Sequence, residues 1–137
     1  MTETELAEKY LALWNEPDDE RRRRMIAELW TEGGRHILQP PEEIRGIAAQ
    51  PGIAMTAILE ARGYEQIAAR AASAYDHWIR SEGLSFHGRD DADRLGDVVK
   101  FHWEAIAQDG EMVAVGLIFL LLAADGRIER DYTFIVG

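Results

Sequence analysis

The sequence predicts an α+β fold in which three N-terminal helices pack on a curved antiparallel sheet. Helical periodicity dominates the first half of the chain, whereas the residues after Gly83 alternate with a period of two. The dipeptides Asp109-Gly110 and Asp125-Gly126 are strong hairpin signals between the last three predicted strands. Helices followed by hairpin-linked strands are typical of α+β domains rather than of alternating β–α–β units.

Three segments have the apolar spacing of amphipathic helices. The first runs from Thr4 to Asn15 and the second from Asp18 to Thr31. The pair Gly33-Gly34 is expected to end the second helix, because glycine is the usual residue just after a helix. The third predicted helix runs from Tyr64 to Ser81.

The predicted strands are bounded by turn-forming residues. They are His36–Gln39, Met55–Glu60, Leu84–Gly88, Val98–Ala107, Glu111–Ala123 and Ile128–Val136. The strand from Glu111 to Ala123 is apolar on both faces, which indicates that both faces are covered. Since the helices cover only one face, we expect a homodimer that forms through the outer face of the sheet.

Composition excludes several classes of protein. The 137 residues suit one domain, and we treat residues 1–137 as a single unit. A net charge of −10 disfavours nucleic acid as a partner. The longest apolar run, Met112 to Ala124, is too short for a membrane-spanning helix, and the first residues lack the pattern of a signal peptide. With no cysteine in the chain, we expect a cytoplasmic protein without disulfides.

Common catalytic motifs are also missing. The sequence has no HExxH pair, no glycine-rich phosphate loop, no GxSxG turn and no cysteine nucleophile. We therefore expect no metal, no cofactor and no covalent acyl chemistry.

A series of short motifs resembles one superfamily. They are YLALWN at 10–15, ELW at 28–30, HILQPP at 36–41, RGYEQI at 62–67, FHWE at 101–104 and DGRI at 125–128. In this order the chain resembles the nuclear transport factor 2-like superfamily, and within it the SnoaL-like branch. The resemblance implies a cone-shaped domain with an apolar pocket. It does not imply one reaction, because members include isomerases, polyketide cyclases, epoxide hydrolases and binding modules without catalysis.

The resemblance also suggests which residues face that pocket. In ketosteroid-isomerase-like members, a tyrosine of the first helix donates a hydrogen bond to an enolate oxygen, and Tyr10 matches it. Their carboxylate base matches Gln39, and their second acid matches Ile118. Neither residue can do that chemistry. In epoxide-hydrolase-like members an RDY motif resembles residues 130–132, and of that site's charged partners only Asp131 is present.

Three residues are therefore candidates for catalysis. Tyr10 either orients a ligand oxygen or is a core residue with a hydrogen-bonded hydroxyl. Asp131 is a partly desolvated base if its side chain points inward, and a surface charge if it points outward. His102 shares a strand face with Glu104, and the two form either an acid–base pair or a polar outer face.

A larger set of candidates would line the pocket and bind the ligand: Trp14, Trp30, Gln39, Trp78, Trp103 and Ile118. The tryptophans are either core residues or the walls of a pocket for a flat apolar ligand. Gln39 either contacts a ligand or caps its strand. The orientation of His36 is not determined by the sequence.

These observations leave three hypotheses for function. The first is a protein that binds a small, mostly apolar molecule in the pocket of the cone. The second is a cyclase-, isomerase- or epoxide-hydrolase-like acid–base enzyme that uses Asp131 or His102 with Tyr10. The third is a dimerising module whose pocket is filled by its own side chains.

Overall fold

The computed structural model describes residues 1–39 and 59–136. Its helices are α1 (Glu3–Asn15), α2 (Asp19–Leu29) and α3 (Gly63–Ala74), and a π-helical segment (Tyr75–Ser81) continues α3. Its strands are β1 (Trp30–Leu38), β2 (Leu59–Arg62), β3 (Ser85–Gly88), β4 (Asp93–Leu95), β5 (Val98–Ile106), β6 (Met112–Leu122) and β7 (Ile128–Ile135). The three predicted helices and the α+β class are confirmed. Of the predicted strand Met55–Glu60, only the last two residues lie within the described part of the chain, where they begin β2.

Side chains at the first turn position the N-terminal helices. The hydroxyl of Thr2 accepts a hydrogen bond from the N–H of Glu5 at 3.1 Å. At the start of α2, the carboxylate of Asp18 accepts a hydrogen bond from the N–H of Arg21 at 3.0 Å. Such caps satisfy donors that a helix leaves unpaired at its first turn. They fix where α1 begins and therefore which residues it turns towards the sheet.

The strands form one mixed sheet in the order β2-β1-β7-β6-β5-β3, and β4 pairs with β5. Strands β5, β6 and β7 form the two expected hairpins, with positive φ angles at Gly110 and Gly126 in the turns. The prediction of a wholly antiparallel sheet is wrong, because β1 and β7 pair in parallel. A hairpin forces antiparallel pairing, but these two strands are joined by most of the chain and are free of that constraint.

The glycine pair near residue 34 belongs to β1, not to the end of a helix. Helix α2 ends at Leu29, and the next residue, Trp30, already pairs with Ile128 of β7. Pairing then resumes only at Arg35, so β1 bulges between these positions. A Cβ at Gly34 would lie 2.8 Å from Cδ1 of Trp30. The glycine therefore lets the bulged strand turn tightly around the Trp30 ring.

The helices cover the face of the sheet that carries Val99 and Phe101 of β5 and Ile118 and Leu120 of β6. The opposite face is apolar in its centre and more open. Its β6 residues Leu117, Phe119 and Leu121 are only half-buried, and Phe134 of β7 is 44 % exposed. No helix in the described part of the chain is long and apolar enough to cross a membrane.

Candidate active site

Asp131 is the centre of a buried polar cluster. Its side chain is completely shielded from solvent. Its Oδ2 accepts a hydrogen bond of 2.6 Å from the hydroxyl of Tyr10, and its Oδ1 lies 2.6 Å from Nδ1 of His36. The backbone N–H of Ile37 also donates to Oδ1, at 3.2 Å. Both carboxylate oxygens are therefore occupied by groups from α1 and β1.

The parallel pairing of β1 with β7 brings this cluster together. His36 lies directly opposite Asp131 in the register, and both side chains are buried on the helix-covered face. Tyr10 reaches them from α1, where Leu6, Leu13 and Tyr10 itself are buried against the sheet. A shift of one residue in the register would turn either side chain to the opposite face.

Aromatic rings enclose the cluster. The ring centroid of Tyr10 lies 6.0 Å from that of Trp14, 5.5 Å from that of Trp30 and 5.6 Å from that of Phe101. The Trp14 ring also lies 5.0 Å from the ring of His36. Such surroundings exclude water and lower the local dielectric constant, which strengthens each hydrogen bond in the cluster.

Burial raises the pKa of the Tyr10 hydroxyl well above its ordinary value of 10.0. The negative charge of Asp131 and the hydrogen bond to it also raise this pKa, whereas the hydrogen bonds that Thr133 and Trp14 make to the hydroxyl lower it. Ionising Tyr10 would place a second anion beside a carboxylate in an apolar interior, which is unfavourable. Tyr10 is therefore a neutral hydrogen-bond donor at physiological pH.

This raised pKa predicts a loss of stability in alkali. The folded state keeps the Tyr10 proton above pH 10, whereas the unfolded chain releases it. The stabilisation is therefore complete below about pH 10 and falls by about 1.4 kcal/mol per pH unit above it. Urea unfolding between pH 8 and 11 should show this slope in the wild type and lose it in Tyr10→Phe. Equal alkaline slopes in the two proteins would contradict the raised pKa.

Several buried polar atoms make no hydrogen bond of good geometry with a described residue, although Trp14 and Thr133 lie close enough to Tyr10 to lower the pKa of its hydroxyl. They are Nε1 of Trp14, Nε1 of Trp30, Nη1 of Arg70 and Oγ1 of Thr133. An unpaired buried group of this kind costs about 1–3 kcal/mol. Burial lowers the pKa of Arg70, while the negative charge of Asp131 acts against that shift, so the two side chains are electrostatically coupled.

His102 does not join Tyr10 and Asp131. It pairs with Leu117 of β6, whereas Asp131 pairs with Leu120, and these two residues of one strand lie on opposite faces. On its own face, Nδ1 of His102 lies 2.6 Å from Oδ2 of Asp91. The predicted catalytic pairing of His102 with Tyr10 is corrected accordingly, because alternation along β5 turns this histidine away from the helices.

His102 and Asp91 form a pair that is partly exposed to solvent. Burial alone would raise the pKa of Asp91, but hydrogen bonds from the backbone and ring of His102, and its charge, lower that pKa below the ordinary value. Glu104 does not pair with His102, since its Oε2 accepts a hydrogen bond of 2.7 Å from Arg89. His102 and Glu104 therefore lie on a polar outer face of β5 and do not form an acid–base pair with each other.

The candidate ligand-binding residues fall into different places. Gln39 acts as a strand cap, because its Oε1 accepts from the N–H of Ile135 at 2.8 Å. Ile118 and Trp30 are core residues. Trp78 is 38 % exposed, and its ring meets that of His77 in the π-helical segment. Trp103 packs against Phe86 and over Gly116, and Trp14 alone of these candidates contacts both Tyr10 and His36.

Sequence reasoning missed His36, and it also missed Arg70, whose charge interacts with that of Asp131. The alternation of Gly34, His36 and Leu38 could have placed His36 on one face, but the bulge obscured where the strand begins. Arg70 gave no signal, because an arginine in an amphipathic helix is usually a surface residue. Among the described residues, no group of three or more histidine, aspartate or glutamate side chains is placed to hold a metal ion.

A groove of about 520 Å³ lies between α1 and the chain that connects β3 to β4. Its lining combines apolar side chains such as Leu11 and Phe86 with polar ones such as Asp90. Phe101 separates the groove from the buried cluster, since it lines the groove and its ring also packs on Tyr10.

Known structures share this arrangement of helices and strands. A SnoaL-like protein from Agrobacterium tumefaciens, whose name as an isomerase is provisional, is 30 % identical over 100 % of both chains, with a TM-score of 0.78. A SnoaL-like protein of unknown function from Burkholderia thailandensis is 19 % identical, with a TM-score of 0.64 over 97 % of this chain and 93 % of that one. A nuclear transport factor 2-like protein of unknown function from Cytophaga hutchinsonii is 10 % identical, with a TM-score of 0.60 over 99 % and 91 %.

No protein-family model matches the chain, and no curated protein matches it either. The family is shown by the Agrobacterium protein, which matches over the whole length of both chains at 30 % identity. The chain belongs to the SnoaL-like family, and it shares the fold of a nuclear transport factor 2-like protein.

Proposed function

We propose that this protein is an acid–base enzyme that acts on a small, mostly apolar molecule. In this proposal His36 transfers the proton, Asp131 orients His36, and Tyr10 stabilises the Asp131 carboxylate. The supporting observation is the buried carboxylate that joins Tyr10 and His36 through two contacts of 2.6 Å.

The geometry favours His36 over Asp131 as the base. Asp131 already accepts hydrogen bonds from three groups, so little of its basicity is free for a substrate. By holding the N–H at Nδ1 of His36, the carboxylate leaves Nε2 as the nitrogen that takes a proton and stabilises the imidazolium that results. Nε2 makes no hydrogen bond to a described residue. The same logic orients the histidine in many acid–base sites.

Proton abstraction next to a carbonyl group is the reaction class that suits such a base. The ketosteroid-isomerase-like proteins that this chain resembles have a carboxylate base at the position of Gln39, which here caps a strand. A base at His36, three residues earlier in the chain and within β1, would replace it. The provisional isomerase name of the Agrobacterium relative supports this class of reaction.

The proposal is tested by hydrogen–deuterium exchange of carbonyl compounds. A panel of cyclic ketones and enones is incubated with the protein in deuterated water, and exchange at the carbon beside the carbonyl is followed by NMR. We expect His36→Gln to slow exchange by about 10²–10⁴-fold, since general base catalysis contributes that much. We expect a similar loss in Asp131→Asn.

The control is His77→Gln, because His77 is an exposed histidine of the π-helical segment. It should exchange at the wild-type rate. Folding of each variant is verified by its thermal midpoint. Exchange that survives in a folded His36→Gln protein would contradict the assignment of the base.

Binding without chemistry is the second candidate function. The replacement of the expected acids by Gln39 and Ile118 favours it, as does the aromatic enclosure formed by Trp14, Trp30 and Phe101. In that case a thermal-shift screen would find ligands that stabilise the fold by mass action, and none of them would be turned over.

We also propose that the protein forms a homodimer through the outer face of the sheet. Four large apolar side chains in or beside this face are exposed: Met112, Val113, Phe134 and Val136. At its centre, the rings of Phe119 and Phe134 meet edge to face at 5.9 Å. Ion pairs such as Arg35–Glu60 and Arg89–Glu104 border it. An apolar centre with a charged rim is typical of a protein–protein interface.

Replacement of Phe134 by lysine is expected to dissociate this dimer, because it buries an unpaired charge at the centre of the interface. Light scattering after size-exclusion chromatography would measure the mass. Trp78→Lys is the matched control, since Trp78 is similarly exposed but lies in the helical layer. A wild-type protein that is monomeric at high micromolar concentration would refute the dimer.

A further inference from the structure

Hydrogen bonds fix one end of the groove between α1 and the β3–β4 connection. The side-chain amide of Asn15, the last residue of α1, donates to the carbonyl oxygen of Phe86 at 2.8 Å. The same amide accepts from the N–H of Phe86 at 3.0 Å. Asn15 therefore pairs with the backbone of β3 as a neighbouring strand would, and it sets the position of the helix relative to the sheet.

The β3–β4 connection, which forms the other wall of the groove, is tied to β5. The carboxylate of Asp91 accepts from the N–H of His102 at 3.0 Å and also lies 2.6 Å from its ring nitrogen. Arg89 donates to Glu104 at 2.7 Å. These bonds hold the connection at the edge of β5. The groove is therefore preformed, as pockets for small molecules usually are.

The floor of the groove is apolar. It is formed by Ala7 and Leu11 of α1 and by Phe86 and Phe101 of the sheet. Gly88 lets β3 approach the helix closely, because a Cβ there would lie 3.1 Å from Cδ1 of Leu11. The volume of about 520 Å³ is within the range of about 300–1,000 Å³ that is common for small-molecule sites. The floor therefore suits the apolar body of a small molecule.

The charges that line the groove favour a cation. Its arginine and its two histidines already contact other side chains, which are Glu104, Asp91 and Ser85. By contrast, Glu8 and Asp90 are exposed, and their carboxylates make no ion pair or hydrogen bond with another residue in the described part of the chain. A net charge of −10 also disfavours an anion here.

We propose that this groove binds a small organic ammonium ion. Its apolar body lies on the floor of the groove, and its charged nitrogen lies at the carboxylates of Glu8 and Asp90. The site is separate from the buried cluster, because Phe101 lies between the groove and Tyr10. Binding here needs no proton transfer, so its test does not depend on the proposed enzyme activity.

Binding is measured with three probes of similar shape: 2-phenylethylammonium, 2-phenylethanol and 3-phenylpropanoate. Each probe is titrated into ¹⁵N-labelled protein at pH 7 and low ionic strength, and the backbone N–H signal of Gly88 reports occupancy of the groove. We expect the ammonium ion to bind about three- to tenfold more tightly than the alcohol, as two exposed ion pairs would provide. The carboxylate should bind more weakly than the alcohol. Added salt should reduce these differences, because it screens exposed charges.

The double variant Glu8→Gln/Asp90→Asn should bind the ammonium ion no more tightly than the alcohol, and its affinity for the alcohol should be that of the wild type. Asparagine replaces Asp90 because the φ of 57° at this residue is a left-handed conformation that asparagine also adopts. The control is Glu20→Gln/Glu28→Gln, which removes the same charge from exposed positions of α2 and should keep the wild-type preference. Ala12→Phe places a ring in the groove and should weaken the binding of all three probes.

Several results would overturn this proposal. Equal affinities for the three probes would exclude a cation site, and tighter binding of the carboxylate would reverse the sign of the ligand charge. An equal loss in the double variant and its control would assign the preference to the net charge of the protein. An unchanged Gly88 signal, or normal binding by a folded Ala12→Phe protein, would exclude the groove as the site. Thermal midpoints verify that each variant is folded.

Failure of this proposal is distinguishable from failure of the proposed function. If the carbonyl compounds exchange their protons through His36 and the ammonium probe does not bind, only the groove site is wrong. If the ammonium probe binds through Glu8 and Asp90 and no exchange depends on His36, the groove site stands and the enzyme assignment is wrong.

Discussion

Replacement of Asp131 by alanine is expected to lower the free energy of unfolding by about 3–5 kcal/mol, because it removes one partner from a buried polar pair. The hydroxyl of Tyr10, the ring of His36 and the N–H of Ile37 would all lose their acceptor at a position shielded from solvent. This loss is a large share of the 5–15 kcal/mol that typically stabilises a domain. Urea unfolding at pH 7, with equal slopes for both proteins, would measure it.

The chain offers a matched control for this prediction. Asp91 lies the same 2.6 Å from a histidine nitrogen, but its pair with His102 is partly open to solvent. Asp91→Ala should cost no more than about 1 kcal/mol, as is usual for exposed ion pairs. Similar losses in the two variants would show that burial does not determine the strength of the Asp131 pair.

Replacement of Gly116 by alanine is the second change with a large expected effect. Gly116 lies directly opposite Trp103 in the register of β5 and β6, and a Cβ at this position would overlap the indole ring. The ring must therefore move away from the sheet, against Phe86, which contacts it edge to face. Overpacking of this kind costs about 1–3 kcal/mol. Urea unfolding and tryptophan fluorescence should both report the change.

Gly33→Ala is the control for Gly116→Ala. Gly33 also lies in a strand, but a Cβ there would meet no atom within 4 Å. This variant should change the free energy of unfolding by less than about 0.5 kcal/mol, as expected of a surface position. If Trp103→Leu does not restore stability to the Gly116→Ala protein, the ring is not the cause of the loss.

Local patterns predict much of this fold. The helices follow from apolar residues at helical spacing, and the two Asp-Gly turns set the β5–β6–β7 meander. The sequence did not predict where β1 begins, because a pair of glycines such as Gly33-Gly34 is also the usual signal for the end of a helix. Only the long-range contact of Trp30 with Ile128 shows that the strand has already begun there.

The candidate site was predictable only in part. Tyr10 and Asp131 were named as candidates, and the structure joins them by a hydrogen bond. His36 was missed because its position opposite Asp131 depends on a parallel pairing that no local signal specifies. His102 was chosen because alternation identifies which residues share a face, yet it does not identify which face is covered by helices.

The parallel pairing of β1 with β7 also determines when the site can form during folding. Tyr10 and Asp131 are separated by 121 residues, and His36 and Asp131 by 95. Contacts between such distant residues form late, because the entropy of closing long loops must be met first. β7 enters the middle of the sheet between β1 and β6, so a nascent chain without it has neither a closed sheet nor the buried carboxylate. Any activity or binding that depends on this cluster should therefore report the fraction of molecules that have completed folding.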